Sequence, residues 1–382
     1  MNQNQLPEIF ESFADARKTG FLAAKEFKDQ GNILIGTYCT YMPQELPLAM
    51  GAGIVSLCAT SDETILEAEK HLPRNLCPLI KSSYGFAITD KCPYFYYSDM
   101  IVGETTCDGK KKMYEHMAKV KPTHVMMLPN SPEGEHSLNL WKNEIHQLRK
   151  LFEEKFDKTI TDEDLKAAVR LRNRERSALK ELYSLQKHKP LAMTGLDLLK
   201  VLYGSTFKFN KETSINELNQ TAERIREAIA NEQFLEDRPR ILITGCPIGG
   251  VTEKVVKAIE DNGAWVVYFE NCMGAKAVEE NVDETMVDVE LALAKKYLNI
   301  GCSCMTPNKT RYQLIEDAVR EYQVDGVVDV TLQACHTYAI EAYGIKQFCQ
   351  ELGVPYLNVE TDYSTSDVAQ LGTRAAAFIE ML

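Results

Sequence analysis

The chain contains no stretch long and apolar enough to span a bilayer, and its start, MNQNQLPEIFESFADARKTG, lacks the apolar core of a secretory leader. A cytoplasmic location is therefore expected. Positive charge is also scarce: the formal net charge is −12 over 382 residues, whereas a nucleic-acid partner requires a basic face. The one dense basic run, Lys110-Lys111-Lys112, sits among acidic residues in a helical pattern and reads as a solvated helix face. No C-x-x-C pair occurs, which removes the usual ligand pattern of structural zinc, and ferredoxin-like cysteine runs are missing too.

What is present is a globular composition, with 45% hydrophobic and 26% charged residues, in a chain too long for one typical core. Two domains are expected. The chain has eleven cysteines. In a reducing compartment these are not a disulfide framework, and the odd count weakens that reading further. They are core residues, reactive thiols or metal ligands.

The pattern of elements repeats. NILIGTYC, MPQELPLAMGAG and IVSLCAT, from Asn32, are matched by RILITGC, PIGGVTEKVVKAIEDNGA and WVVYFENC, from Arg240. Each is a short β-branched run, a cysteine, a helix-like segment closed by glycine, and a second β-branched run. Downstream, KHLPRNLCPLIKSSYGF parallels KKYLNIGCSCMTPNKTRYQLI, and YSDMIVGETTC parallels VDGVVDVTLQAC. Strands alternating with helices predict a parallel sheet covered on both faces. The fold class is α/β, with two duplicated, doubly wound parallel-sheet domains over 1–140 and 238–382. A helical connecting segment over 141–237 joins them. That segment has long charged helices and no cysteine, so it is expected to set domain geometry rather than chemistry. Thr161 is a cap candidate, and Ser214-x-x-Glu217 has the form of a capping box.

Ligands of open α/β sheets bind beyond the carboxyl ends of the strands. Cys39, Cys107, Cys246 and Cys335 all follow such strands, and Cys77 and Cys304 occupy matching loops. The repeat pairs Cys39 with Cys246, Cys77 with Cys304, and Cys107 with Cys335, giving three candidate ligands per half on one rim. Helix N-termini favour thiolates there through free amides and the positive dipole end. Cys58 and Cys349 read as core, Cys92 as a packing residue. Cys302 is an alternative to Cys304, and Cys272 is a spare candidate.

At these residues the chain resembles the 2-hydroxyacyl-CoA dehydratase subunit family across nearly its whole length. The resemblance is carried by NLCPLIKSSYGF, ETTCDGKKKMYEHM, HVMMLPN, DGVVDVTLQACHTY and ETDYSTSDVAQLGTRAAAFIEM. It implies a [4Fe-4S] cluster held by three cysteines, corresponding to Cys77, Cys107 and Cys335. The second set, Cys39, Cys246 and Cys304, is similar to the double-cubane cluster proteins of the same family, in which two four-iron cubes joined by sulfide sit in each chain of a homodimer. That resemblance implies a separate ATP-hydrolysing iron–sulfur reductase as activator. It also implies a small-molecule substrate reduced at low potential by a double-cubane [8Fe-9S] cluster. The alternatives are a dehydratase subunit with one cluster and an unlike partner subunit, and a non-enzymatic cluster scaffold.

Smaller features are expected to stand near the site. His336 follows Cys335 and Glu45 follows the Cys39 loop; both are candidate catalytic groups for proton transfer. Lys81, Glu360 and Asp362 are further rim candidates. GCPIGG follows a strand but fits neither phosphate-loop pattern, so ATP hydrolysis is assigned to the partner.

Overall fold

A computed structural model describes residues 13–246, 250–272 and 274–382. Its eight strands are β1 (Leu34–Thr37), β2 (Gly53–Ser56), β3 (Met100–Glu104), β4 (Thr123–Met126), β5 (Arg240–Gly245), β6 (Trp265–Glu270), β7 (Gly326–Leu332) and β8 (Tyr356–Thr361). They form two four-stranded sheets of order β2-β1-β3-β4 and β6-β5-β7-β8. Every pairing is parallel. The expected duplicated α/β architecture is thus present, down to the same strand order in each half.

The central strands are short because they need only cross a buried layer. LIGT, MIVGE, RILITG and GVVDVTL are buried at every position, as expected for sheets covered on both faces. In this order the chain leaves β1 on one side and β3 on the other. The crevice beyond that switch point is where such sheets receive ligands. The second sheet repeats it between β5 and β7.

The halves share their interior. One buried cluster joins Leu34, Val55 and Ile101 of the first sheet to Ile241, Val266 and Val328 of the second. Another packs Ile35, Val102 and Met126 against Trp141, Ile145 and Phe152 of the helix Glu135–Phe156 and Leu293 of the helix Val289–Leu298. The helix Glu135–Phe156 runs unbroken past residue 141, covering the first sheet with its buried stripe.

Caps follow side-chain chemistry. Thr161 begins the helix Asp162–Leu185 as expected: its hydroxyl accepts from Asp164 N, and the Asp164 carboxylate accepts from Thr161 N, each at 3.1 Å. The Ser214–Glu217 capping box is corrected. The helix Lys211–Ala230 starts earlier, capped by Asn210, whose side chain accepts from Thr213 N. Ser214 is buried inside it and reaches Glu175, while Glu217 pairs with Lys208. Asparagine caps as well as serine, and the packing of Ser214 decided between them. No helix among the described residues is long and apolar enough to cross a membrane.

Candidate functional site

Ten of the eleven cysteines line a single cavity of about 1060 Å³ between the halves. Only Cys349 does not: it is fully buried in the helix His336–Glu351, a core residue as expected. All six predicted ligand residues, Cys39, Cys77, Cys107, Cys246, Cys304 and Cys335, are on the wall. Cys58, expected within a strand, lies two residues past the end of β2 and opens onto the cavity, and Cys92 does so from the start of the helix Pro93–Tyr97. Both depart from a purely packing role because the cavity reaches the loop after β2 and the start of that helix.

Local backbone explains how the thiols are aimed. Cys77, Cys107 and Cys335 are the N-cap residues of the helices Pro78–Ile88, Asp108–Met117 and His336–Glu351. Their sulfurs therefore stand beside free helix amides and the positive dipole end. Cys39 itself takes a left-handed conformation (φ 58°), and Ala334 does so just before Cys335 (φ 55°). Such residues cost on the order of 1 kcal/mol and persist where surrounding structure enforces them. Gly245, with φ 119°, turns the chain into Cys246; a side chain there would collide with the Val330 carbonyl oxygen. Cys304 differs from its expected counterpart Cys77, since its helix, Lys309–Glu321, begins five residues later.

The sulfurs form groups. Interaction with Cys246 and then Cys77 holds the Cys335 thiol below its ordinary value, so these sulfurs are neighbours on the wall. The neighbouring Cys304 is the first cause that holds the Cys302 thiol below its ordinary value. Cys304 also lies 3.6 Å from Tyr41 Oη, and Cys302 3.6 Å from Tyr338 Oη. Cys39 accepts a hydrogen bond from Lys110 Nζ at 2.7 Å. The reading of Lys110 as solvated is corrected: it is 6% exposed, although Lys111 and Lys112 do face solvent. Burial opposes the Lys110 charge, but the Cys39 and Cys58 sulfurs outweigh it and hold the ammonium above its ordinary value. Beside it, burial pushes Glu104 up to about 8; one of its oxygens accepts from Met42 N at 2.7 Å and the other has no partner.

The remaining candidates separate. His336 is exposed on the cavity wall. Glu45 is fully buried and is not a wall residue. Its carboxylate takes Arg176 Nη2 at 2.6 Å and Tyr297 Oη at 2.7 Å, which ties the first half to the helical segment and to the second half. Burial opposes its ionisation, but Arg176, Arg172 and the Tyr297 hydrogen bond hold it below the usual range. Lys81 pairs with Glu69 at 2.9 Å and Asp362 accepts from Ser364 N; neither these nor Glu360 line the cavity. GCPIGG falls partly on residues 247–249, outside the described residues. The helical segment contributes more than geometry: Arg172, Glu175 and Lys211 are wall residues that its lack of cysteine concealed.

Among the described residues, no three His, Cys, Asp or Glu side chains converge closely enough for a single metal ion. A tetrahedral ion would need donors gathered about 2.3 Å from one point. The wall instead offers many soft sulfur donors spread around a wide space, a set suited to a polynuclear iron–sulfur group rather than one ion.

Comparison with known proteins identifies the family. The family described as 2-hydroxyglutaryl-CoA dehydratase, D-component, matches residues 39–382. The chain is 61% identical over 378 residues to an Escherichia coli (strain K12) protein named "Putative dehydratase subunit YjiM", covering 99% of this chain and 98% of that one. It is 23% identical over 367 residues to the (R)-phenyllactyl-CoA dehydratase beta subunit of Clostridium sporogenes, covering 94% of each. It is 18% identical over 372 residues to a benzoyl-CoA reductase subunit of Thauera aromatica, covering 95% of this chain and 94% of that one. The named relatives thus include both dehydratase and reductase subunits. By a match that runs from Cys39 to the last residue and takes in every cysteine of the cavity, the chain belongs to the 2-hydroxyglutaryl-CoA dehydratase D-component family.

Proposed function

We propose that this protein is an iron–sulfur enzyme that reduces a small molecule at low potential. It would hold a double-cubane [8Fe-9S] cluster in the cavity between its halves and receive electrons from a separate ATP-hydrolysing reductase. The observation that carries the reading is the convergence of ten thiols from both halves on one cavity. At three or four thiolates for each four-iron unit, ten thiols suffice for two. Cys39, Cys77, Cys107, Cys246, Cys335 and either Cys304 or Cys302 would be the ligands. When bound, the cluster supplies low-potential electrons.

The chain's own groups do the rest. Helix amides behind Cys77, Cys107 and Cys335 stabilise anionic sulfur, and Lys110, a buried residue of the same wall, donates to Cys39. Apolar wall residues such as Leu57, Leu79 and Ile80 limit water in the cavity. His336, exposed on the wall, is positioned to exchange protons with solvent; Glu45 holds segments together instead. In this proposal the protein is a cytoplasmic homodimer, with sheet-bearing halves over 1–140 and 238–382 and a helical segment over 141–237.

The relatives' names favour a second reading, a dehydratase subunit with one [4Fe-4S] cluster and an unlike partner. The discriminating experiment combines the purified chain alone with the reductase and ATP. Turnover of small unsaturated or nitrogen-containing molecules supports the first reading. Turnover of a 2-hydroxyacyl-CoA that appears only on adding the unlike subunit overturns it in favour of the second.

A further inference from the structure

The side of the cavity built by the helical segment carries buried charge that its own residues do not balance. Arg172 and Glu175 lie three residues apart on the helix Asp162–Leu185, and Lys211 opens the helix Lys211–Ala230. All three line the cavity. Their side chains are 10%, 2% and 9% exposed. Both cations converge on the one carboxylate: Arg172 Nη1 pairs with Glu175 Oε2, and Lys211 Nζ lies 3.1 Å from Glu175 Oε1. Arg172 Nε is buried with no partner.

Nearby acids do not supply the missing charge. Glu45 faces Arg172 as well as its bonded partner Arg176, so two carboxylates, Glu45 and Glu175, stand against the three cations Arg172, Arg176 and Lys211. The other acidic wall residues have cations of their own: Glu63 with Lys91, Asp108 with Lys111, and Glu253 with Lys257. An uncompensated buried charge costs several kcal/mol, so a group of one negative charge entering from the cavity would be strongly favoured.

We propose that Arg172 and Lys211 form the carboxylate-recognition subsite of this cavity, so that the substrate is a small carboxylate held by its anionic end. The inference deepens the proposed function by naming a substrate class, and it rests on the cavity being where substrate binds. Arg172 offers its free Nε–H, Lys211 its ammonium, and the amino end of the helix Lys211–Ala230 adds favourable dipole. A single excess charge at the wall matches a carboxylate better than a multiply charged phosphate. Burial, and then Arg172, holds Lys211 well below its ordinary value. An entering anion reverses that trend by supplying the opposite charge.

The test uses full-length protein purified without oxygen and calorimetric titration with propionate, its neutral isostere propionamide, and inorganic phosphate. Propionate is expected to bind at least about tenfold more tightly than propionamide or phosphate. Arg172→Gln and Lys211→Met should each weaken propionate about tenfold without changing propionamide, and Lys211→Arg should restore binding. Equal affinity for propionate and propionamide overturns the proposal, as does tighter binding of phosphate or wild-type propionate affinity in both variants. Circular dichroism of each variant shows that it is folded. Iron counted on the same samples separates the two claims: iron without carboxylate selectivity removes the subsite alone, and carboxylate selectivity without iron removes the cluster alone.

Discussion

Lys110 Nζ lies 2.7 Å from Cys39 Sγ, so a buried cation stands directly behind one of the six predicted ligand sulfurs. The lysine comes from the helix after β3 and the cysteine from the loop after β1, on the two sides of the switch point of the first sheet. A fixed positive charge there offsets some of the negative charge that several thiolates and bound sulfide would bring to a confined space.

Lys110→Met should therefore lower stability by about 2 kcal/mol, the loss expected for one charge-assisted hydrogen bond. The loaded protein should give up iron to a chelator faster, and its reduction potential should become more negative because a nearby positive charge is gone. Lys112→Met, which removes only an exposed pair with Glu115, should stay within about 0.5 kcal/mol and leave the potential unchanged. Urea denaturation and potentiometric titration check both variants.

Glu45 is a positioning residue in this structure, and that assignment has a measurable consequence. Glu45→Gln leaves the buried Arg176 guanidinium without its counter-charge, at a cost of about 3 kcal/mol or more. Thermal or urea unfolding should show that loss, while turnover per iron-loaded, folded chain is retained. Full stability with turnover abolished would instead make Glu45 a direct participant.

The stability of the second half should depend on pH through Glu260. It accepts from Gly195 N at 2.8 Å, and burial pushes it up to about 7. The folded state thus keeps a proton that the unfolded chain, with an ordinary glutamate, loses near pH 4. Between those values the folded form binds more protons, so stability falls as pH rises from about 4 to 7, by at most about 3 kcal/mol. Glu260→Gln, which keeps an acceptor for Gly195, should flatten this part of the profile. Urea unfolding across that pH range is the measurement.

Much of this arrangement is legible in the sequence because its signals are local. β-branched runs such as RILITG and GVVDVTL mark fully buried parallel strands, and a cysteine after such a run marks a rim position. Thr161 announces its helix through a carboxylate three residues on. What escapes is set by packing between distant segments. Nothing in Lys110-Lys111-Lys112 distinguishes the lysine that turns inward from its neighbours; only the fold brings it to Cys39. Asn210 and Ser214 are both competent caps, and the burial of Ser214 against Glu175 selects the former. Arg172, Glu175 and Lys211 look like ordinary charges of a solvated helix until their helices close one side of the cavity. Cys58 is hidden for a similar reason, since strand β2 ends two residues before it.

Iron and acid-labile sulfide counted per chain in anaerobically purified protein reach the centre of the matter. About eight irons are predicted for two four-iron units, with Cys335→Ser losing much of that iron and Cys349→Ser, altered in the core away from the cavity, losing none. Protein that contains no iron, whether or not Cys335 is present, would contradict the assignment of these thiols as cluster ligands.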